Sequence, residues 1–237
     1  MESARGLAPM DNDTFLNRGR VKTSCGHCHS EPIEGEVAFR KCSRCLDVRY
    51  CSVECQKAAW PKHKKVCKTQ EEMVQWKRNN DLGIYSYRND LPKVRALLAE
   101  GADPCFINGC DGGSVLMTAS QQGHVEVARV LIAAGANANY AVPNGDNALQ
   151  FAAYKGHTEL IELLLTVGGA KIDAQDSDGN TALISASMRG HVDSVQLFLR
   201  LGANPSIIAG GNVTASNVTR NPEILSLLRA RIAELAL

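Results

Sequence analysis

Residues 147–170 read NALQFAAYKGHTELIELLLTVGGA, and the pattern inside this stretch returns twice more in the second half of the chain. Its punctuation is Gly156-His157-Thr158-Glu159-Leu160, matched by Gly123-His124-Val125-Glu126-Val127 upstream and Gly190-His191-Val192-Asp193-Ser194 downstream, at spacings of 33 and 34. Each is followed by an apolar helix and a glycine-alanine turn. These are Leu131-Ile132-Ala133-Ala134-Gly135-Ala136, Leu163-Leu164-Leu165-Thr166-Val167-Gly168-Gly169-Ala170 and Leu197-Phe198-Leu199-Arg200-Leu201-Gly202-Ala203. The middle copy carries one extra residue, Gly168 or Gly169. Ahead of each Gly-His pair stands Ser114-Val-Leu116-x2-Ala119, Asn147-Ala-Leu149-x2-Ala152 or Thr181-Ala-Leu183-x2-Ala186.

Two weaker copies flank the clear ones. Lys93-Val94-Arg95-Ala96-Leu97-Leu98 lies one period before Glu126 and ends in Glu100-Gly101-Ala102-Asp103, while Glu223-Ile224-Leu225-Ser226-Leu227-Leu228 follows Asp193 by thirty. Both lack Gly-His, as end units do when one face meets water. Three clear and two degenerate capping units exceed the minimum of about three that share a continuous core. The period and pattern resemble ankyrin repeats, which implies an all-α solenoid with β-hairpin tips over residues 81–237.

Regular recurrence assigns His124, His157 and His191 a structural role, with the ring stabilising the turn by hydrogen bonding. Cys105 and Cys110 are too isolated for a zinc site and read as free thiols. On such a solenoid the concave face is what remains for function. By register it presents the residues just before each repeat glycine: Gln121 and Gln122, Tyr154 and Lys155, Met188 and Arg189. Gly113, Asp146 and Asn180 fall at the hairpin tips. Tyr and Arg are enriched at interface hot spots, so the mixture suits a protein partner.

The first third of the chain is organised differently. Between Cys25 and Cys67 the sequence reads Cys25-x2-Cys28, thirteen residues, Cys42-x2-Cys45, five residues, Cys51-x3-Cys55, seven residues, His63-x3-Cys67. Eight potential ligands in four close pairs suit two tetrahedral zinc ions, because each pair chelates through a short loop and two pairs close one site. Disulfides belong to a secreted context, and the first twenty residues contain no apolar stretch long enough for a signal peptide. His27 and His29 flank Cys28 and are possible zinc donors, but the cysteines already complete both sets. Eight ligands for two ions leave no open coordination position, so the metals hold shape rather than catalyse. The spacing by itself allows either interleaved or sequential sites.

The residues between the ligands extend the match. Arg49-Tyr50-Cys51-Ser52-Val53-Glu54-Cys55-Gln56, followed by Trp60-Pro61-Lys62-His63 and Cys67, resembles the MYND-type zinc finger. The Cys28 to Cys42 loop is longer than in compact members of that family. The resemblance implies an interleaved cross-brace, with Cys25, Cys28, Cys51 and Cys55 on one zinc and Cys42, Cys45, His63 and Cys67 on the other. It also implies a shallow groove for short proline-containing peptides, lined by Ser43, Gln56 and Trp60. Proline-rich segments suit such grooves because their extended conformation is preformed. Trp60 could equally pack the small core of the finger.

Charge divides the chain in the same way. Residues 20–68 carry eleven Lys/Arg against five Asp/Glu, a balance of +6, whereas residues 81–237 carry eleven against fifteen, a balance of −4. Lys57, Lys62, Lys64, Lys65 and Lys68 invite a nucleic-acid reading, but without aromatic interleaving or a base-reading helix they argue against direct recognition. Residues 1–20 are polar and aperiodic and read as a disordered tail. The finger is drawn over 21–68 and a helical linker over 69–80, where Met73, Val74 and Trp76 sit among charges.

No run of about twenty apolar residues could span a bilayer. The expected protein is an intracellular monomer, in cytoplasm and/or nucleus, that binds two zinc ions (Zn2+) and serves as a non-catalytic adaptor for proteins. A nuclear transcriptional or chromatin regulator would use the same modules. MYND fingers also accompany SET methyltransferase domains, but no segment here offers a cofactor fingerprint such as a glycine-rich phosphate loop.

Overall fold

The computed structural model describes residues 40–41, 49–50, 70–107 and 112–235. They fall in two compact units divided between Lys77 and Arg78. In the first, strands β1 (Arg40–Lys41) and β2 (Arg49–Tyr50) pair antiparallel, with Arg40 opposite Tyr50 and Lys41 opposite Arg49. The tail over 1–20 and the eight expected zinc ligands lie outside the described residues.

The second unit begins within α1 (Gln70–Tyr87), so the helix expected over 69–80 continues to Tyr87 and supplies the inner helix of the first repeat. After it come α2 (Leu91–Ala99), α3 (Val115–Gln122), α4 (Val125–Ala133), α5 (Ala148–Lys155) and α6 (Thr158–Thr166). The chain closes with α7 (Ala182–Arg189), α8 (Val192–Arg200), the single turn α9 (Ala215–Val218) and α10 (Pro222–Leu235).

Helices of eight or nine residues are marginal alone. Two devices hold these. The first is capping: Ser114 Oγ accepts from the Met117 N–H at 3.2 Å, Asn147 Oδ1 from Gln150 at 3.0 Å and Thr181 Oγ1 from Ile184 at 3.3 Å. Such a cap contributes about 1 kcal/mol. The second is stacking: α3, α5, α7 and α9 lie side by side in an inner layer, and α2, α4, α6, α8 and α10 in an outer one. Between the layers, Leu131, Leu164, Phe198 and Leu228 are fully buried at one register, and Ala119, Ala152 and Ala186 at another. The 33-residue period thus places like residues in one continuous core.

The tips are slighter than full hairpins. Single bridges join Ile107 to Ser114, Ala141 to Asn147 and Ala209 to Val213. Consecutive tips are tied together, since the Ser177 N–H donates to the Asn144 carbonyl at 2.8 Å and Gly210 to Asp178 at 2.7 Å. The extra residue of the middle copy is also placed. Ala136 and Ala203 donate to the carbonyls of Leu131 and Phe198, five residues back, whereas Ala170 reaches back six to Leu164. Gly169 takes the left-handed conformation (φ +65°) found at Gly135 and Gly202, so Gly168 is the insertion.

The first repeat lacks Gly-His for a visible reason. Asn89 takes the left-handed position (φ +57°), which Asn tolerates better than most residues. Asp90 stands where the histidine would be and caps its own helix, accepting from the Lys93 N–H at 3.2 Å and pairing with Lys93 Nζ at 3.0 Å. That hydrogen bond to Lys93 holds the Asp90 carboxyl below the usual carboxylate range.

Candidate protein-interaction surface

The inner helices α3, α5 and α7 each end on a left-handed glycine, Gly123, Gly156 or Gly190, with φ of 76°, 75° and 79°. The two residues before each glycine therefore fall at one edge of the inner layer, repeated from unit to unit. All six expected surface residues are found there, with Gln122, Lys155, Met188 and Arg189 exposed and Gln121 and Tyr154 half-buried. Three of them meet. The Arg189 guanidinium lies 4.4 Å from the centre of the Tyr154 ring and Lys155 Nζ lies 5.9 Å from it. A cation over an aromatic face contributes about 0.5–1 kcal/mol where exposed, and it fixes the ring and the guanidinium in one orientation. Gln121 and Gln122 do not join that cluster.

The histidines do something other than stabilise their own turns. Nε2 of His124 donates to the carbonyl of Tyr87 at 3.0 Å, His157 to Gln121 at 3.4 Å and His191 to Tyr154 at 3.1 Å. Each acceptor belongs to the preceding repeat, in the last turn of its inner helix, where carbonyls lack helical partners. Because a carbonyl only accepts, Nε2 carries the hydrogen in all three rings. Gln121 and Tyr154 are thus anchored through their own backbones by the repeat that follows.

Burial holds His157 below the usual histidine range; its bond to Gln121 opposes this, while Lys155, His124 and His191 add to it. A histidine depressed in the folded state contributes stability that is full above its unfolded value of about 6.5 and is lost as pH falls through the folded value. Wild-type thermal midpoints should therefore fall between pH 7.5 and 5.5. His157→Gln should flatten part of that slope, and identical slopes for the two proteins would remove His157 as a contributor.

At the other edge the tips are acidic. Burial raises the Asp146 carboxyl above the usual range, the Asn144 amide opposes this, and the charges of Asp176 and Asp178 add to it. Cys105 is exposed, and its thiol donates to the Gly135 carbonyl at 3.4 Å. Among the described residues no group of three or more His, Cys, Asp or Glu is placed to hold a metal, and no helix is long and apolar enough to cross a membrane.

Ser43, Gln56 and Trp60 lie outside the described residues, as do Cys25, Cys28, Cys42, Cys45, Cys51, Cys55, His63 and Cys67. Residues absent from the sequence reading but present at the basic edge are Arg220 and Asn221. The only signal for Asn221 was its place three residues before Ile224, where the histidines stand three before Val127, Leu160 and Ser194.

Comparison with known proteins accounts for both regions. A family model for ankyrin repeats matches residues 82–176 and 135–209, and one for the MYND finger matches residues 25–67. The chain is 43% identical over 51 residues to human "Histone-lysine N-methyltransferase SMYD3", covering 22% of this chain and 11% of that protein. It is 34% identical over 105 residues to "Ankyrin repeat and KH domain-containing protein mask-1" of Caenorhabditis elegans, covering 44% and 4%. It is also 35% identical over 85 residues to "E3 ubiquitin-protein ligase KEG" of Arabidopsis thaliana, covering 36% and 5%. The chain therefore spans about a tenth or less of the length of each of these relatives. MYND fingers bind zinc, and both modules are protein-interaction modules. With the repeats matched across residues 82–209 and their stacked helices in place, the chain belongs to the ankyrin-repeat proteins and carries a MYND finger ahead of its repeats.

Proposed function

We propose that this protein is a zinc-binding adaptor with two recognition surfaces and no catalytic centre. The finger would hold two zinc ions, one on Cys25, Cys28, Cys51 and Cys55 and the other on Cys42, Cys45, His63 and Cys67. Its groove, formed by Ser43, Gln56 and Trp60, would take short proline-containing peptides. The repeats would take a second protein surface along Gln121, Gln122, Tyr154, Lys155, Met188 and Arg189.

The observation that carries the second surface is the Tyr154 ring with Arg189 stacked 4.4 Å above it. A half-buried aromatic with an oriented guanidinium and no carboxylate partner among the described residues is the composition of an interface hot spot. Met188, 50% exposed beside them, adds a flexible apolar side chain. The methyltransferase relatives share only the finger region, so likeness to them supports recognition and not methyl transfer. Methylation of a labelled substrate above background would reverse that choice.

Two variants test the surfaces separately. Trp60→Ala should leave zinc content unchanged while weakening capture of a proline-containing peptide array by about tenfold or more, as loss of a central aromatic does. Tyr154→Ala/Arg189→Ala should leave array binding intact and remove a different set of partners in affinity purification. Array binding unchanged in a folded Trp60→Ala chain would end the groove proposal, and an unchanged partner set in the double variant would end the repeat-face proposal.

A further inference from the structure

Three carbonyls at the inner-helix ends are roofed by a histidine from the next repeat, and the fourth is not. Asn221 stands at the histidine register, but its Oδ1 accepts from the Glu223 N–H at 2.9 Å and its carbonyl from Leu225 at 3.1 Å, so it caps α10 instead of reaching back. Among the described residues nothing donates to the Met188 carbonyl in the way that His191 donates to Tyr154. The space left open is direct to see. A Cβ placed on Gly123 or Gly156 would come within 2.7 or 2.6 Å of the ring of His157 or His191, whereas a Cβ on Gly190 would meet nothing within 4 Å. An open cavity of about 720 Å3 occupies this place, lined by Met188, Arg189, Gly190, Val218, Arg220 and Asn221.

The cavity's chemistry is one-sided. Arg189 and Arg220 both line it, and neither is paired with a carboxylate among the described residues, the Arg189 guanidinium lying 4.4 Å from the Tyr154 ring. Asn221 Nδ2 is a further donor, since its Oδ1 is committed to Glu223. The Met188 carbonyl and the buried Ser187 hydroxyl are the groups left able to accept. Val218 and Pro222 add apolar wall. A ligand that satisfies the set needs a negative charge that can take bidentate bonds from arginine, and an N–H within reach of it. A free phosphate supplies the charge but no main-chain N–H for the carbonyl. An aspartate or glutamate on an extended main chain supplies both.

We propose that this cavity receives an acidic residue of an extended segment of a partner protein, its carboxylate between Arg189 and Arg220 and a main-chain N–H on the Met188 carbonyl. The proposal rests on the reading of the repeats as an interaction face and names the chemistry of the partner there. It also explains why the histidine series stops one unit early. A ring at position 221 would fill the place that the partner takes.

The test uses the full chain and a fluorescein-labelled peptide of Gly, Pro, Glu and Asp blocked at both ends, beside the same peptide with Gln and Asn in place of the acids. The acidic peptide should bind at least tenfold more tightly than its amide counterpart, and Arg220→Glu should weaken it by tenfold or more. Asn221→His adds a ring over the Met188 carbonyl without changing charge. It should abolish binding while leaving the helical circular dichroism signal and cooperative unfolding of the chain in place, which separates a closed cavity from a damaged fold. Equal binding of both peptides would overturn the proposal, as would insensitivity to Arg220→Glu or to Asn221→His, full competition by inorganic phosphate, or binding that requires a free peptide C-terminus. Partner capture lost in Tyr154→Ala/Arg189→Ala, with acidic-peptide binding indifferent to Arg220→Glu, would refute the acidic cavity alone. Capture unchanged in both variants would refute the repeat face altogether.

Discussion

Withdrawing zinc from the full chain with a strong chelator is expected to cost residues 25–67 their fold while the repeats stay helical. The finger spans only 43 residues, eight of them the proposed ligands, and a domain that small seldom buries enough apolar surface to be stable by itself. Structural zinc contributes an apparent binding free energy of about 10–16 kcal/mol, which in such a domain is folding free energy. Metal analysis of the reduced protein should give two zinc ions per chain. Chelation should make the finger sensitive to protease within minutes, and the far-ultraviolet signal of α2 to α10 should persist. Less than one zinc per chain, or a digestion pattern indifferent to chelator, would remove the metal from the account of this region.

The second large effect is expected at Phe198. It is fully buried in α8, at the register that Leu131 and Leu164 fill in earlier repeats, and it is among the largest fully buried side chains described. Phe198→Ala leaves a cavity that rigid neighbouring helices can only partly close, and truncations of this kind cost about 3–5 kcal/mol. Because each repeat leans only on its neighbours, the loss should fray the C-terminal units first. Urea denaturation followed by circular dichroism should show an early phase that wild type lacks. Met188→Ala, at a half-exposed position on the same repeat, should stay within about 0.5 kcal/mol of wild type. A Phe198→Ala chain that loses under 1 kcal/mol would mean that the α8 core is not what holds the end of the array.

The repeat architecture was legible because its determinants are local and periodic. Gly156 marks a helix end wherever it is read, and the apolar positions at Leu131, Leu164 and Phe198 recur at the solenoid's own period. The places of the six edge residues were legible for the same reason, as they sit one or two positions before a glycine. The inserted residue could be narrowed only to a glycine pair, because either fits the turn composition. Backbone conformation chose Gly169 as the equivalent position and Gly168 as the extra one. Likewise the first inner helix was hidden inside what read as a linker, since Asn89 and Asp90 replace the Gly-His pair that announces the others.

What the sequence determined by itself is the set of interactions that span one helix or one turn: caps, helix ends and the apolar stripe. What only the tertiary structure decided lies between repeats. The histidine bonds join residues 36 or 37 apart, and the stacking of Arg189 on Tyr154 crosses from α7 to α5. So does the contrast between His191, which turns back to the preceding repeat, and Asn221, which turns forward to cap its own helix. A side chain with two reachable partners chooses by the free energy of the packed surroundings, and those surroundings exist only once the neighbouring repeat has docked.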